Sequence, residues 1–263
     1  MTLRQKKILF SIIELHVKSA KPVSSSSVYD LRFNISPATI RNEMKELEEA
    51  GYLIQLHTSG GRIPTDKAYR YYVNMLLEND SGLSLKIKDK KKIQQALGNV
   101  PLDPKKINRA VAKILSDLSG DLVITGISVK FFGKERNHQE TAPEQEEDFF
   151  KKGLVGLFEN PEFREFEKAF QLTMFFEEFE QMFKFIEKEF LNTLGSPDGL
   201  PIQIMIGKES PFRQIQRETF ICAKYGLPGD CVGSLTLVGP TRMDYEKNIS
   251  LIKYITEELN KLY

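Results

Sequence analysis

The chain has 263 residues, with 37 basic and 36 acidic side chains for a formal charge of +1; 41% of its residues are hydrophobic and 28% charged. That balance excludes a disordered chain and a wholly basic chromatin-type protein. The length suggests two domains, each able to bury a core. Cys222 and Cys231 cannot build a disulfide framework and fit a reducing cytosol. The apolar run Ile8–Ile13 is too short for a signal-peptide core, and no segment approaches the ~18 apolar residues of a membrane span, so the chain reads as cytoplasmic.

Neutrality overall hides local polarity. Residues 1–79 carry a surplus of +3, Lys86 to Lys113 one of +7, and Glu135 to Phe190 a deficit of −8. Footprints for nucleic acid are local, so any contact with phosphate is expected from the first half.

In chain order, Thr2 and Gln5 form a Thr-x-x-Gln capping box for a helix to about Ser19. Lys21-Pro22 breaks it, and the run Ser24–Ser27 caps a short second helix. Ser36 then reads as an N-cap with Pro37 at the first helical position. Ile40, Met44 and Leu47 fall on one face of that third helix, leaving Thr39, Arg41, Asn42 and Lys45 on another. Arginine can bond guanine and asparagine adenine through paired hydrogen bonds, which suits a recognition helix. Gly51 ends the helix. Tyr52–Leu56 reads as a strand and His57–Arg62 as a loop tip whose Thr58, Ser59, Gly60 and Arg62 suit phosphate contact. Thr65 caps a fourth helix. This order is a winged helix-turn-helix, a fold that also mediates protein contacts.

Further on, Asp121–Phe132 and Pro201–Ile206 read as strands. Thr219–Tyr225 and Cys231–Val238 flank the turn Gly226–Asp230 and should pair as a hairpin. Pro161 to Leu194 reads as helical, with Phe166, Phe170, Phe176, Phe179, Phe183, Ile186 and Phe190 along one side. Such a stripe is the ordinary pattern of a core-facing helix; a dimer interface is the competing reading. Thr241-x-x-Asp244 reads as a capping box for a last helix, with ligand binding by Arg242 and Asp244 as the alternative. The whole is α+β, an N-terminal winged helix-turn-helix followed by an antiparallel-sheet domain.

Three stretches carry a family resemblance. Pro37–Met44 with Leu47–Leu53 is similar to the recognition-helix signature of the bacterial heat-inducible repressor family HrcA. His57–Arg70 resembles that family's wing and following helix, with Gly60-Gly61 where an Ala-Gly pair is usual. Gly239–Tyr245 resembles a third signature. The resemblance implies a GAF-like fold for the second domain, interrupted in the family by an inserted dimerising domain. Here only Gly133–Phe150 stands at that place, and Gly153–Phe163 resembles the segment that resumes afterwards. The expected domains are 1–79 (winged helix), 80–118 (helical linker) and 119–263 (GAF-like, with a shortened insert near 133–150).

No nucleophile elbow, zinc helix, paired Cys-x-x-Cys or phosphate-binding loop occurs, so neither an enzyme, a metal nor a cofactor is expected. His16, His57 and His138 lack metal-ligand spacing. The two cysteines read as small core residues or as a pair facing across the hairpin. The resemblance implies a homodimeric repressor on an inverted-repeat operator in double-stranded DNA ahead of chaperone genes, released by heat and restored by the GroE chaperonin. Its DNA-binding residues would be Ser36, Thr39, Arg41, Asn42, Lys45, Thr58, Ser59, Gly60 and Arg62. A winged-helix regulator gated by a small ligand in the GAF-like domain is the alternative.

Overall fold

The computed structural model describes residues 1–31, 35–57, 60–79, 83–129, 149–161, 170, 202–210, 216–229 and 231–262. The chain forms two compact units. One takes in Met1–Leu83, Ile206–Glu218 and Pro240–Glu246, the other Ser84–Met205, Thr219–Gly239 and Lys247–Tyr263.

The first unit begins with α1 (Leu3–Ser19), opened by the expected capping box. The Gln5 N–H donates to Thr2 Oγ1 at 3.2 Å and the Thr2 N–H to Gln5 Oε1 at 2.9 Å. Ile8, Leu9, Ile12 and Ile13 are its buried face. Helix α2 (Ser25–Tyr29) is capped by Ser24, and α3 (Pro37–Glu49) by Ser36, whose Oγ accepts the Thr39 N–H at 3.1 Å. Ile40, Met44 and Leu47 are buried, and α3 packs on α1 and α2.

Strands β1 (Leu53–Gln55) and β2 (Arg62–Pro64) pair antiparallel, Leu53 opposite Pro64 and Gln55 opposite Arg62. Val23 adds a third edge, exchanging backbone hydrogen bonds with Arg62 at 2.9 and 2.8 Å. Helix α4 (Asp66–Glu78), capped by Thr65, buries Ala68, Tyr69, Tyr72 and Val73. Phe10 meets Tyr72 edge-on at 5.0 Å, a favoured aromatic geometry.

Two remote stretches complete this unit. In the 3₁₀ turn Gly207–Glu209, the Lys208 N–H donates to the Asp66 carboxylate at 3.0 Å, and Glu209 pairs with Arg70. The Arg242 Nη1 donates to the Val17 carbonyl at 3.1 Å, and Tyr245, 1% exposed, lays its ring 5.7 Å from Tyr69. The final helix, α8 (Tyr245–Leu262), starts later than the Thr241 cap implies. Thr241 instead donates its N–H to the Arg217 carbonyl and accepts from the Tyr245 hydroxyl at 2.6 Å. Arg242 is an anchor on the carbonyl end of α1, where a cation suits the helix dipole.

The second unit holds a five-stranded sheet in the order β4-β3-β7-β6-β5. Its strands are β3 (Leu122–Val129), β4 (Phe150–Lys152), β5 (Ile202–Ile206), β6 (Glu218–Leu227) and β7 (Cys231–Pro240). β3 runs antiparallel to β7 along its full length, from Leu122 opposite Val238 to Val129 opposite Cys231. β6 and β7 are the expected hairpin partners. The stretch 80–118 holds two well-formed helices, α5 (Ile87–Gly98) and α6 (Pro104–Ser119). α6 packs on β3 and buries Ile107, Val111, Ala112 and Leu115, so it is core. The turn after it is tight. Gly153, with φ 98°, precedes the short helix α7 (Leu154–Glu159), and a Cβ there would lie 2.2 Å from Ser116 Oγ and 2.4 Å from the Asp121 carbonyl. With five antiparallel strands and flanking helices, this α+β architecture is consistent with a GAF-like fold.

Cys222 is buried with its Sγ 3.5 Å from Thr236 Oγ1, and burial pushes its thiol up to about 11. Cys231 stands opposite Val129, and both cysteines are free. The phenylalanine stripe lies outside the described residues except for Phe170, which is exposed, and so does Gly133–Asp148. No helix among the described residues is long and apolar enough to cross a membrane.

Candidate nucleic-acid interface

The interface is built on α3. Burial of Ile40, Met44 and Leu47 fixes the rotation of the helix, and Ser36, Arg41, Asn42 and Lys45 are then exposed, with Thr39 half-buried. Pro37 sets the entry φ and the Ser36 cap satisfies a free N–H in the first turn. The helix thus presents exposed cationic and hydrogen-bonding side chains near its N-terminal end, the end at which recognition helices in general meet base edges.

Four carboxylates also lie on α3, and three are drawn to its flanks. Arg4 Nη1 pairs with Glu43 at 3.2 Å, Gln5 Nε2 donates to Glu46 at 2.7 Å, and Arg62 Nε donates to Glu48 at 2.8 Å. Lys45 makes a 3.7 Å pair with Glu49 in which both side chains are about two-thirds exposed, a contact of little energetic weight. The neighbours of α3 therefore engage Glu43, Glu46 and Glu48, while Arg41 and Asn42 stay open to solvent.

The wing adjoins this face. Gln55 Nε2 donates to the Gly60 carbonyl at 3.1 Å and ties the loop back to β1. Gly61 is needed because a Cβ there would come within 2.6 Å of the Val23 backbone. Gly60 is less constrained, its nearest neighbour being the His57 carbonyl at 3.2 Å. Arg62 is not at the tip. It begins β2, is bonded to Val23 through its backbone, and leaves its side chain 12% exposed. Thr58 and Ser59 lie outside the described residues.

Arg41, Gly60, Gly61 and Arg62 converge on one cleft of about 460 Å³, closed by Val23, Ser24, Ser25, Met44 and Gln55. Ser36, Thr39, Asn42 and Lys45 are not among its lining residues. The sequence reading missed Ser24, Ser25, Gln55 and Glu48. Alternation along β1 puts Gln55 on the same side as buried Leu53, so nothing local singled it out. Among the described residues no group of three or more His, Cys, Asp or Glu is placed to hold a metal.

The chain matches two family descriptions. Residues 1–77 match "Winged helix-turn-helix transcription repressor, HrcA DNA-binding", and residues 93–249 match "HrcA protein C terminal domain". It is similar to the heat-inducible transcription repressor HrcA of Desulfitobacterium hafniense, 27% identical over 345 positions that cover 98% of this chain and 96% of that protein. The protein of the same name from Halalkalibacterium halodurans is 28% identical over 346 positions, covering 100% and 97%. A crystal structure of a hypothetical protein at 2.2 Å resolution shares the fold, with a TM-score of 0.76, 22% identity, and coverage of 99% of this chain and 98% of that one. With both halves matched and a DNA-binding winged helix at its start, the chain belongs to the HrcA family of heat-inducible transcription repressors.

Proposed function

We propose that the chain acts as a homodimeric repressor on an inverted-repeat operator ahead of chaperone genes, is released by heat, and is restored by the GroE chaperonin. The observation that carries DNA reading is α3, whose exposed Arg41, Asn42 and Lys45 stand opposite a fully buried Ile40–Met44–Leu47 face. Thr39, Arg41, Asn42 and Lys45 would read bases or clamp phosphate, with Ser36 at the helix start. Thr58, Ser59, Gly60 and Arg62 would serve phosphate from the wing. Two-fold symmetry accounts for an inverted repeat, because each winged helix takes one half-site. The chaperonin step and the cytoplasmic setting rest on the family resemblance.

A winged helix over 1–79 and a GAF-like domain over 119–263 with a shortened insert near 133–150 are proposed, the helices of 80–118 joining the second as core instead of standing as a linker. The shortened insert is supported by the alignments to relatives, which run over 345 and 346 positions against 263 residues here. Those relatives carry stretches this chain lacks, so its dimer contacts would differ from any made by an inserted domain.

The test is a fluorescence-anisotropy titration against a chaperone-promoter inverted repeat and a scrambled duplex at two salt concentrations. A preference of about a thousandfold that survives higher salt is expected. Equal, salt-erased binding would leave only phosphate contact. Sedimentation of the complex checks the stoichiometry, since one chain per operator would refute the dimer.

A further inference from the structure

The cleft beside α3 holds two guanidinium groups, and a carboxylate outside its lining is bonded to one of them. Arg41 comes from the second turn of α3, and Arg62 from the first position of β2. Between them lie the Gly60-Gly61 backbone and Ser24 and Ser25. Behind Arg62 stands Glu48, with Oε2 2.8 Å from Nε. In a surface that meets a polyanion, a carboxylate this close to a phosphate-binding arginine weakens the field unless it has another task.

Geometry supplies that task. The Arg62 backbone is locked by the bridge to Val23 on one side and by β1 on the other. Its side chain, with several rotatable bonds, is held by Glu48 through Nε and not through a terminal nitrogen. Arginine has five N–H donors in a planar fork, so a bond at Nε fixes the plane while the terminal N–H groups stay available for an oxygen in the cleft. A preorganised donor loses less entropy on binding than a free one.

We infer that the cleft of Arg41 and Arg62 seats one phosphate of the DNA backbone, and that Glu48 is a positioning residue that aims Arg62 at it. The inference rests on the DNA-binding reading above and adds a residue of the wrong charge to the machinery. A phosphate contact carries no sequence information, so a mixed-sequence duplex is a sufficient probe.

The experiment uses the full chain and its Glu48→Ala, Arg62→Gln and double variants. Anisotropy titrations with the mixed-sequence duplex run from about 50 to about 200 mM salt. Glu48→Ala, which leaves Arg62 Nε without its acceptor, should weaken binding roughly tenfold at the lower salt and flatten the slope of log K against log salt by about 0.9, the signature of one lost phosphate contact. Arg62→Gln should do the same, and the double variant should be no worse than Arg62→Gln. If Glu48 is only an unfavourable charge, Glu48→Ala will bind as tightly or more tightly with an undiminished slope, and the inference is overturned. A merely structural Glu48 would lower the melting temperature and leave the slope of the folded fraction intact, which also overturns it. Should Glu48→Ala fold poorly, Glu48→Asp keeps the charge one methylene short of Nε, and an unchanged slope there overturns the inference too. Wild-type protein that ignores the duplex altogether would refute the DNA reading itself. If that same protein is protected from unfolding by inorganic phosphate, the cleft serves free phosphate and not DNA.

Discussion

Gly233 on β7 leaves the space that the Tyr225 ring fills, since a Cβ at position 233 would lie 2.1 Å from Tyr225 Cε2. The ring is buried and its hydroxyl donates to the Asn108 side-chain carbonyl on α6. One glycine thus lets a large aromatic cross the sheet face and tie β6 to α6. Gly233→Ala is expected to destabilise the protein by about 2–3 kcal/mol through overpacking. Tyr225→Phe should cost about 1–3 kcal/mol by stranding buried Asn108. Urea unfolding checks both, and an unchanged midpoint for Gly233→Ala would contradict the packing.

Glu218 gives the fold a pH dependence. Burial pushes its carboxyl from 4.5 up to about 7, against the lowering effect of backbone hydrogen bonds from Arg217 and Glu218 itself and the charge of Arg217. Between those values the folded state holds a proton that the unfolded chain has released, so stability falls as pH rises from about 4.5 to about 7 and stays low above it. Glu218→Gln should therefore stabilise the protein by roughly 2–3 kcal/mol at pH 8, with little gain at pH 4.5. Melting temperatures across that range test the sign.

Ser36 carries two roles that substitution can separate. Ser36→Ala removes the acceptor of the Thr39 N–H and should cost about 1 kcal/mol. Ser36→Asp restores the cap and suits the helix dipole, so stability should match wild type. If Ser36 faces phosphate as proposed, Ser36→Asp will still weaken DNA binding, measured by anisotropy at constant ionic strength. Full affinity in Ser36→Asp would place phosphate away from the helix start.

The wing glycines should differ sharply. At Gly60 an added Cβ comes nearest to the His57 carbonyl, at 3.2 Å, so Gly60→Ala, the residue usual in the resembling family, should change the melting temperature little. At Gly61 the clash with the Val23 backbone at 2.6 Å involves atoms that cannot swing aside. Gly61→Ala should cost at least about 2 kcal/mol or displace the wing from Val23, which loss of amide protection at Val23 would register.

Where a signal was local, the sequence was legible. Thr2, Ser24, Ser36 and Thr65 all cap helices as their spacing implied, and the β6–β7 hairpin follows its turn residues. What stayed hidden depends on partners far along the chain. The position of Arg62 follows from Val23, and the part played by Thr241–Tyr245 follows from Val17 and Tyr69. β4 is three residues long, too short for an alternating pattern to register. α6 looked like a connector because its apolar stripe has meaning only against β3. In the candidate interface the exposed residues of α3 were readable from helical period. The cleft was not, because it is assembled from α2, α3 and the wing.

The segments that complete the first unit come from residues 206–218 and 240–246. In order of synthesis the winged helix comes first, and Val17 gains Arg242 and Tyr69 gains Tyr245 only once residues 240–246 have been made. A nascent repressor thus presents an unfinished DNA-binding unit, with the Tyr69 face of α4 uncovered, until those later segments arrive. An N-terminal fragment ending near residue 80 would keep the same unfinished surface permanently.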